Sequence, residues 1–123
     1  MNSKVFMAFR ILLGLFILVF GLNKFLNFIP FGEMSVEAGA YFTALTSAKV
    51  MVLVGIVEII AGLALIFNKF GALLALILMS ISVNAVLFHL TLDPANSAGA
   101  IVLLVLNIIA LMGYKDKYKA LLS

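Results

Sequence analysis

A single carboxylate, Glu58, stands near the middle of an apolar run from Val50 to Phe67. The run is long enough to cross a bilayer as one helix. A charged side chain at that depth costs about 2.5 to 3.5 kcal/mol on insertion scales, so Glu58 should face a protein interior, pair with a cation or hold a proton. Glu58 is therefore the first candidate for a functional site, and the alternative is a protonated residue that serves helix packing only.

Two cations of the first apolar segment, Arg10 and Lys24, share a helical stripe with Gly14 and Gly21. Glu58 shares its own face with glycines, and two glycine-lined faces are natural contact surfaces for helices in lipid. We therefore predict that Arg10 and Glu58 are energetically coupled across the interface between the first two spans. The alternative for Arg10, and the simplest interpretation of Lys24, is that the side chain extends to the membrane surface.

Further polar side chains fall near the same depth when the centres of the apolar segments are aligned by the helical rise. We expect Glu58 to lie near Ser80, Asn84 and Asn107 in a buried polar site. The alternative is an interhelical hydrogen-bond network that fixes packing, and for Asn107 alone this alternative is favoured.

The one histidine, His89, lies near the predicted end of a span, close to Asp93. Together with Lys24 it could form a second polar group near the membrane boundary, where an imidazole exchanges protons near physiological pH. The alternative is an ordinary residue of a helix end.

Composition limits the class of protein. Of 123 residues, 66% are hydrophobic and 11% charged, and the mean hydropathy is +1.31. Such a chain has too little polar surface for a soluble globule, so its expected environment is a lipid bilayer. Nucleic-acid binding is excluded because the basic residues mark segment ends. The absence of cysteine excludes thiolate chemistry, and the ligand spacing of a metal site is missing.

The chain divides into four apolar segments, which predict an all-α, polytopic membrane protein with a four-helix bundle in a single domain, 1–123. A turn is expected around residues 30–32, followed by a short interfacial helix over 36–45. Lysines near both termini and between the second and third spans predict cytoplasmic termini in a bacterial-type inner membrane. The predicted spans are residues 5–28, 48–67, 70–92 and 98–114.

Several of these residues form a pattern that resembles the DoxX family of small four-helix membrane proteins. The pattern consists of Arg10-Ile11-Leu12-Leu13-Gly14, Phe16, Gly21, Lys24, Glu58, Gly62-Leu63-Ala64-Leu65 and Phe88-His89. The resemblance implies a four-helix bundle. It also implies a redox-associated role, because members of the wider family resemble the membrane subunit of archaeal thiosulfate:quinone oxidoreductase and others are associated with membrane oxidoreductase complexes.

Three functions remain open. The first is a redox-associated membrane subunit that binds a quinone-like or other apolar ligand. The second is a non-catalytic accessory subunit, which would belong to a larger membrane complex or a homo-oligomer. The third is a small transporter, which is disfavoured because the sequence shows no paired broken helices. The candidate catalytic residues are Glu58, His89 and Arg10. The candidate ligand-binding residues are Arg10, Lys24, Glu58, Asn84, His89 and Asn107.

Overall fold

A computed structural model describes residues 1–30 and 32–123 of the chain. The described part is helical, without a strand, so the predicted all-α bundle is confirmed. The predicted turn around residues 30–32 includes Phe31, which lies outside the described residues. The longer helices are α1 (Ser3–Leu26), α2 (Val36–Ser47), α3 (Val50–Phe67), α4 (Gly71–Leu92) and α5 (Ala98–Gly113).

Three of these helices, α1, α3 and α4, are each long and apolar enough to cross a membrane. Helix α5 has 16 residues. It joins a bent continuation, formed by a 3-10 turn (Lys115–Tyr118) and α6 (Lys119–Leu122), at an angle of 74°, and the pair is the fourth candidate span. Many large apolar side chains on the outside of the bundle are exposed, as a lipid-facing surface requires.

Helix α1 ends two residues earlier than the predicted span. Asn27 takes a left-handed backbone conformation, with φ 51°, and stops the helix. The buried side chain of Asn23 then holds the chain that follows, since it accepts a hydrogen bond from the Ile29 backbone N–H at 2.7 Å and donates one to the Ile29 carbonyl at 3.1 Å. The loop after α1 is thereby fixed to the helix.

Helices α1 and α3 pack most closely, through glycines on both. A Cβ atom added at Gly21 would lie 2.9 Å from the Cβ of Glu58, and one added at Gly62 would lie 2.9 Å from the Gly14 carbonyl oxygen. Larger residues at these positions would push the helices apart. The two glycine-lined faces predicted from the sequence therefore meet, and Gly21 lies directly opposite Glu58.

The two ends of the bundle differ in packing. At the end where α1 begins, called here the Arg10 end, Leu13, Leu65 and Leu78 are fully buried. The phenol of Tyr114 donates to Asn68 Oδ1 at 2.6 Å, and that of Tyr118 donates to the Ala72 carbonyl at 2.7 Å. At the opposite end, called the Lys24 end, the helices enclose a cavity instead of a packed core.

Candidate functional site

The cavity at the Lys24 end has a volume of about 700 Å³, within the range of small-molecule sites. Helices α1, α3, α4 and α5 all contribute to its wall, with apolar side chains such as Phe16, Val54, Ile81 and Leu103. Helix α2 and the loop before it also contribute. The polar residues in the wall are Asn23, Lys24, Glu58, Ser80, Asn84, His89, Asp93 and Asn96.

Glu58 forms a buried ion pair with Lys24. The Lys24 Nζ atom lies 2.5 Å from Glu58 Oε1, and the two side chains are 15% and 4% exposed. Because helical side chains lean toward the N-terminus of their helix, Lys24 can direct its ammonium group into the bundle instead of toward the membrane surface. The simple interpretation of Lys24 as a surface-seeking residue is therefore wrong.

The structure places Arg10 away from Glu58, so the energetic coupling predicted between them does not arise from direct contact. Arg10 is buried, and its Nη1 atom donates to the carbonyl oxygens of Leu65, at 2.5 Å, and Ile66, at 3.1 Å. Both carbonyls belong to the last turn of α3, where a cation satisfies unpaired acceptors and the negative end of the helix dipole. Arg10 therefore holds the end of α3 and does not line the cavity.

A second polar cluster lies in the cavity wall where α4 ends. His89 Nδ1 lies 3.4 Å from Asp93 Oδ2. The amide of Asn96 donates to both carboxylate oxygens of Asp93, at 3.0 and 3.1 Å, and to the Glu33 carbonyl at 3.1 Å. His89 and Asp93 thus come together as predicted, while Lys24, the third predicted member, is paired with Glu58.

The polar residues predicted near mid-membrane divide into two sets. Ser80 and Asn84 line the cavity with Glu58. Asn107 lies outside it, where it accepts a hydrogen bond from Ser82 Oγ at 2.7 Å and donates one to the Ala75 carbonyl at 3.0 Å. Asn107 therefore joins α5 to α4, which is the alternative favoured for it from the sequence.

Sequence analysis missed two asparagines in the cavity wall, Asn23 and Asn96. Asn23 is 2% exposed and Asn96 bonds Asp93. An amide three residues before the last residue of a helix, and one three residues after an aspartate in a turn, are signals of local capping that could have indicated both. Residues 1–30 and 32–123 contain no group of three or more His, Cys, Asp or Glu side chains that could hold a metal ion.

The DoxX family model matches residues 5–91 of the chain. The chain belongs to the DoxX family. The match includes Arg10, Lys24, Glu58, Asn84 and His89 and ends before α5. No curated protein and no solved structure matches the chain. Together with the apolar helices, membership of the DoxX family identifies a multi-pass membrane protein.

Proposed function

We propose that this DoxX-family protein is a redox-associated membrane subunit whose cavity binds the head group of a quinone-like ligand beside the buried ion pair. The observation that carries the proposal is the position of Lys24 and Glu58 in the wall of a largely apolar cavity of about 700 Å³. Apolar walls with a few polar groups are typical of sites for organic ligands.

The polar groups suit a ligand with carbonyl oxygens. An ammonium group has three N–H donors, and Glu58 is the carboxylate paired with Lys24. The remaining donors can bind a carbonyl oxygen of the ligand. Glu58 can then hold or release a proton next to the same head group, as a positioned carboxylate does in general acid–base catalysis.

A bound quinone would supply two-electron redox chemistry, and the protein would exchange the two accompanying protons. The sequence has no cysteine, so we assign the supply of electrons to a partner reductase. His89 lines the cavity at the end of α4, and a histidine there can pass protons between the cavity and the membrane surface. Asp93 Oδ2 lies 3.4 Å from His89 Nδ1 and can accept a proton that the imidazole releases.

The first experiment is binding of a ubiquinone analogue with a ten-carbon tail to the protein in mild detergent. Val54, half-buried in the cavity wall, is replaced in Val54→Phe, and Val83, exposed on α4 and outside the wall, is replaced in the matched control Val83→Phe. We expect Val54→Phe to weaken binding about tenfold, equal to about 1.4 kcal/mol, and Val83→Phe to leave it unchanged.

The outcomes separate the candidate functions. Absence of binding to the wild-type protein, or equal binding by the two variants, would contradict the proposal. A stoichiometric protein partner that copurifies with a protein unable to bind the analogue would favour the accessory subunit instead. Extraction of the purified protein and mass spectrometry of the extract would show whether it carries a quinone from the membrane.

A further inference from the structure

The border between α3 and α4 differs from two neighbouring helix borders in the contacts that join it. The α1–α3 border is closed by the glycine contacts, where α1 and α3 atoms leave no space for a Cβ at Gly21 or Gly62. The α4–α5 border is joined, between the Arg10 end and the middle of α4, by the hydrogen bonds of Asn107 to Ser82 and Ala75. Among the residues that the structure describes, neither kind of contact joins α3 to α4 along the cavity.

Side chains at the α3–α4 border both line the cavity and are exposed on the outside of the bundle. Leu53 on α3 is 61% exposed and Ile77 on α4 is 42% exposed, and both are part of the cavity wall. Ser80 and Asn84 of α4 are exposed wall residues as well. Leu53 and Ile77 thus belong to the cavity wall and to the exposed surface of the bundle at once, so the border between α3 and α4 is a place where the cavity reaches the outside.

The opening is elongated along α4. Ile77 and Asn84 lie seven residues apart, which is about 10 Å of helix. At the Lys24 end, α2 is held next to α4, since the Tyr41 ring stacks on Phe88 at 5.3 Å and Ser35 donates to the Leu92 carbonyl at 2.8 Å. We call this opening between α3 and α4, from Ile77 to Asn84, the slot. It lies along the membrane-spanning part of α4, on the bilayer side of α2, and is surrounded by lipid tails.

We propose that this slot is a lateral portal through which a bilayer-borne amphiphile enters the cavity, with its long apolar tail left along the slot, against Leu53 and Ile77. This inference rests on the proposed function and specifies its ligand: a molecule with a polar head and an apolar chain that arrives from the membrane. Leu53 and Ile77 supply apolar contact for the tail. The cavity behind them leads to the ion pair of Lys24 and Glu58.

The polar residues at the slot fit the passage of a head group. Asn84 Nδ2 donates to the Ser80 carbonyl at 2.7 Å, while the side-chain oxygen of Asn84 receives no hydrogen bond from the described part of the chain. An unsatisfied acceptor at hydrocarbon depth is costly. A head group that carries a donor, or a water that moves with it, would satisfy this oxygen on the way to Lys24.

The chain has no tryptophan, so a single introduced tryptophan can report on lipid tails in the cavity. The reporter variant is Phe16→Trp in the cavity wall, and the lipid-facing reference is Leu63→Trp, at similar depth because Gly14 and Gly62 are in contact. Both proteins are placed in vesicles of phosphatidylcholine with brominated tails. We expect the fluorescence of Phe16→Trp to be quenched nearly as strongly as that of Leu63→Trp.

A matched pair of double variants, each added to the Phe16→Trp protein, tests the position of the portal. Leu53→Phe with Ile77→Phe narrows the slot, and Ile60→Phe with Leu73→Phe adds the same bulk on exposed positions outside the cavity wall. We expect the slot pair to lower the quenching by about half, because the added rings occupy the space of a tail, and the control pair to leave it unchanged.

Equal quenching in the two double variants, or weak quenching of Phe16→Trp itself, would overturn the portal. If the slot pair does not purify as a folded protein, Ile77→Phe is compared with Leu73→Phe. Because the probe is a phospholipid, the result does not depend on quinone binding. Quenching without quinone binding would reject the proposed function and keep the portal, and quinone binding without quenching would do the reverse.

Discussion

The buried ion pair predicts that Lys24 and Glu58 are strongly coupled in energy and that the two single substitutions have unequal costs. Removing one partner of a buried pair leaves a stranded charge, at a cost of about 3 to 5 kcal/mol. The two losses should differ, because Lys24 is two residues from the end of α1 at Leu26 and can redirect its ammonium group to the membrane surface. Glu58 lies in the middle of α3 and has no such route. We therefore expect Lys24→Met to destabilise the protein by about 3 to 5 kcal/mol and Glu58→Gln by less.

A double-mutant cycle measures this coupling. Lys24→Met, Glu58→Gln and the double variant are compared with the wild type by reversible unfolding in mixed micelles with increasing dodecyl sulfate. The loss in the double variant should be smaller than the sum of the single losses by at least about 1 kcal/mol. The matched control is the same cycle with Arg10→Met in place of Lys24→Met.

The control cycle should be additive within about 0.5 kcal/mol. Arg10 contacts the carbonyls of Leu65 and Ile66, and Leu65 is seven residues, or about 10 Å of helix, from Glu58. Additivity in the Lys24 cycle would refute the ion pair as an energetic unit. A coupling in the Arg10 cycle as large as that in the Lys24 cycle would show that the assay reports general loss of the fold.

Three further predictions concern the packing and the orientation of the bundle. Gly21→Ala should lower stability, because the α3 atoms nearest the added Cβ are 2.9 to 3.0 Å away. Gly39→Ala should be neutral or stabilising by up to about 1 kcal/mol, because open space surrounds Gly39. The same unfolding assay measures both variants. Asn107→Leu should cost about 1 to 2 kcal/mol and leave binding of the quinone analogue unchanged, since Asn107 lies outside the cavity. Membrane-impermeant maleimide applied to intact cells should label the Asn96→Cys variant and not the Lys69→Cys variant. The opposite result would reverse the predicted orientation.

The helices and their contact faces could be predicted from the sequence because they depend on local patterns. Apolar runs of sufficient length determine the spans, and glycines at helical spacing determine the faces that meet. The contact of Gly21 with the Glu58 region confirms this kind of prediction. The helix that follows the first span was predictable as well, since its apolar residues recur with helical spacing.

Helical periodicity alone could not predict whether Arg10 or Lys24 pairs with Glu58. Arg10 and Lys24 lie on one stripe of α1, on opposite sides of its centre and at similar distances in depth from Glu58. Only the lengthwise offset of α1 against α3 decides between them. With Gly21 opposite Glu58, the lysine three residues further along α1 is close enough, and the arginine is level with the end of α3.

The cavity itself could not be predicted either, because its volume depends on the order of the helices around the bundle and on their divergence. The pattern of α4 shows that Ser80 and Asn84 share a face, but it does not say which neighbour that face meets. In the structure this face borders the cavity next to α3, whereas Ser82 faces α5 and Asn107. The predicted mid-membrane cluster was therefore divided between a site and a packing contact.

The position of the ion pair is one that the proposed ligand site would use and that stability alone does not require. A buried ion pair replaced by apolar residues of similar size is often as stable or more stable, and the packed Arg10 end shows that this bundle closes well with leucine and alanine. Yet Lys24 and Glu58 lie beside a cavity of about 700 Å³, where both charges could be replaced without loss of a packed core. A double variant as stable as the wild type that no longer binds the quinone analogue would show that the charges are maintained for the ligand.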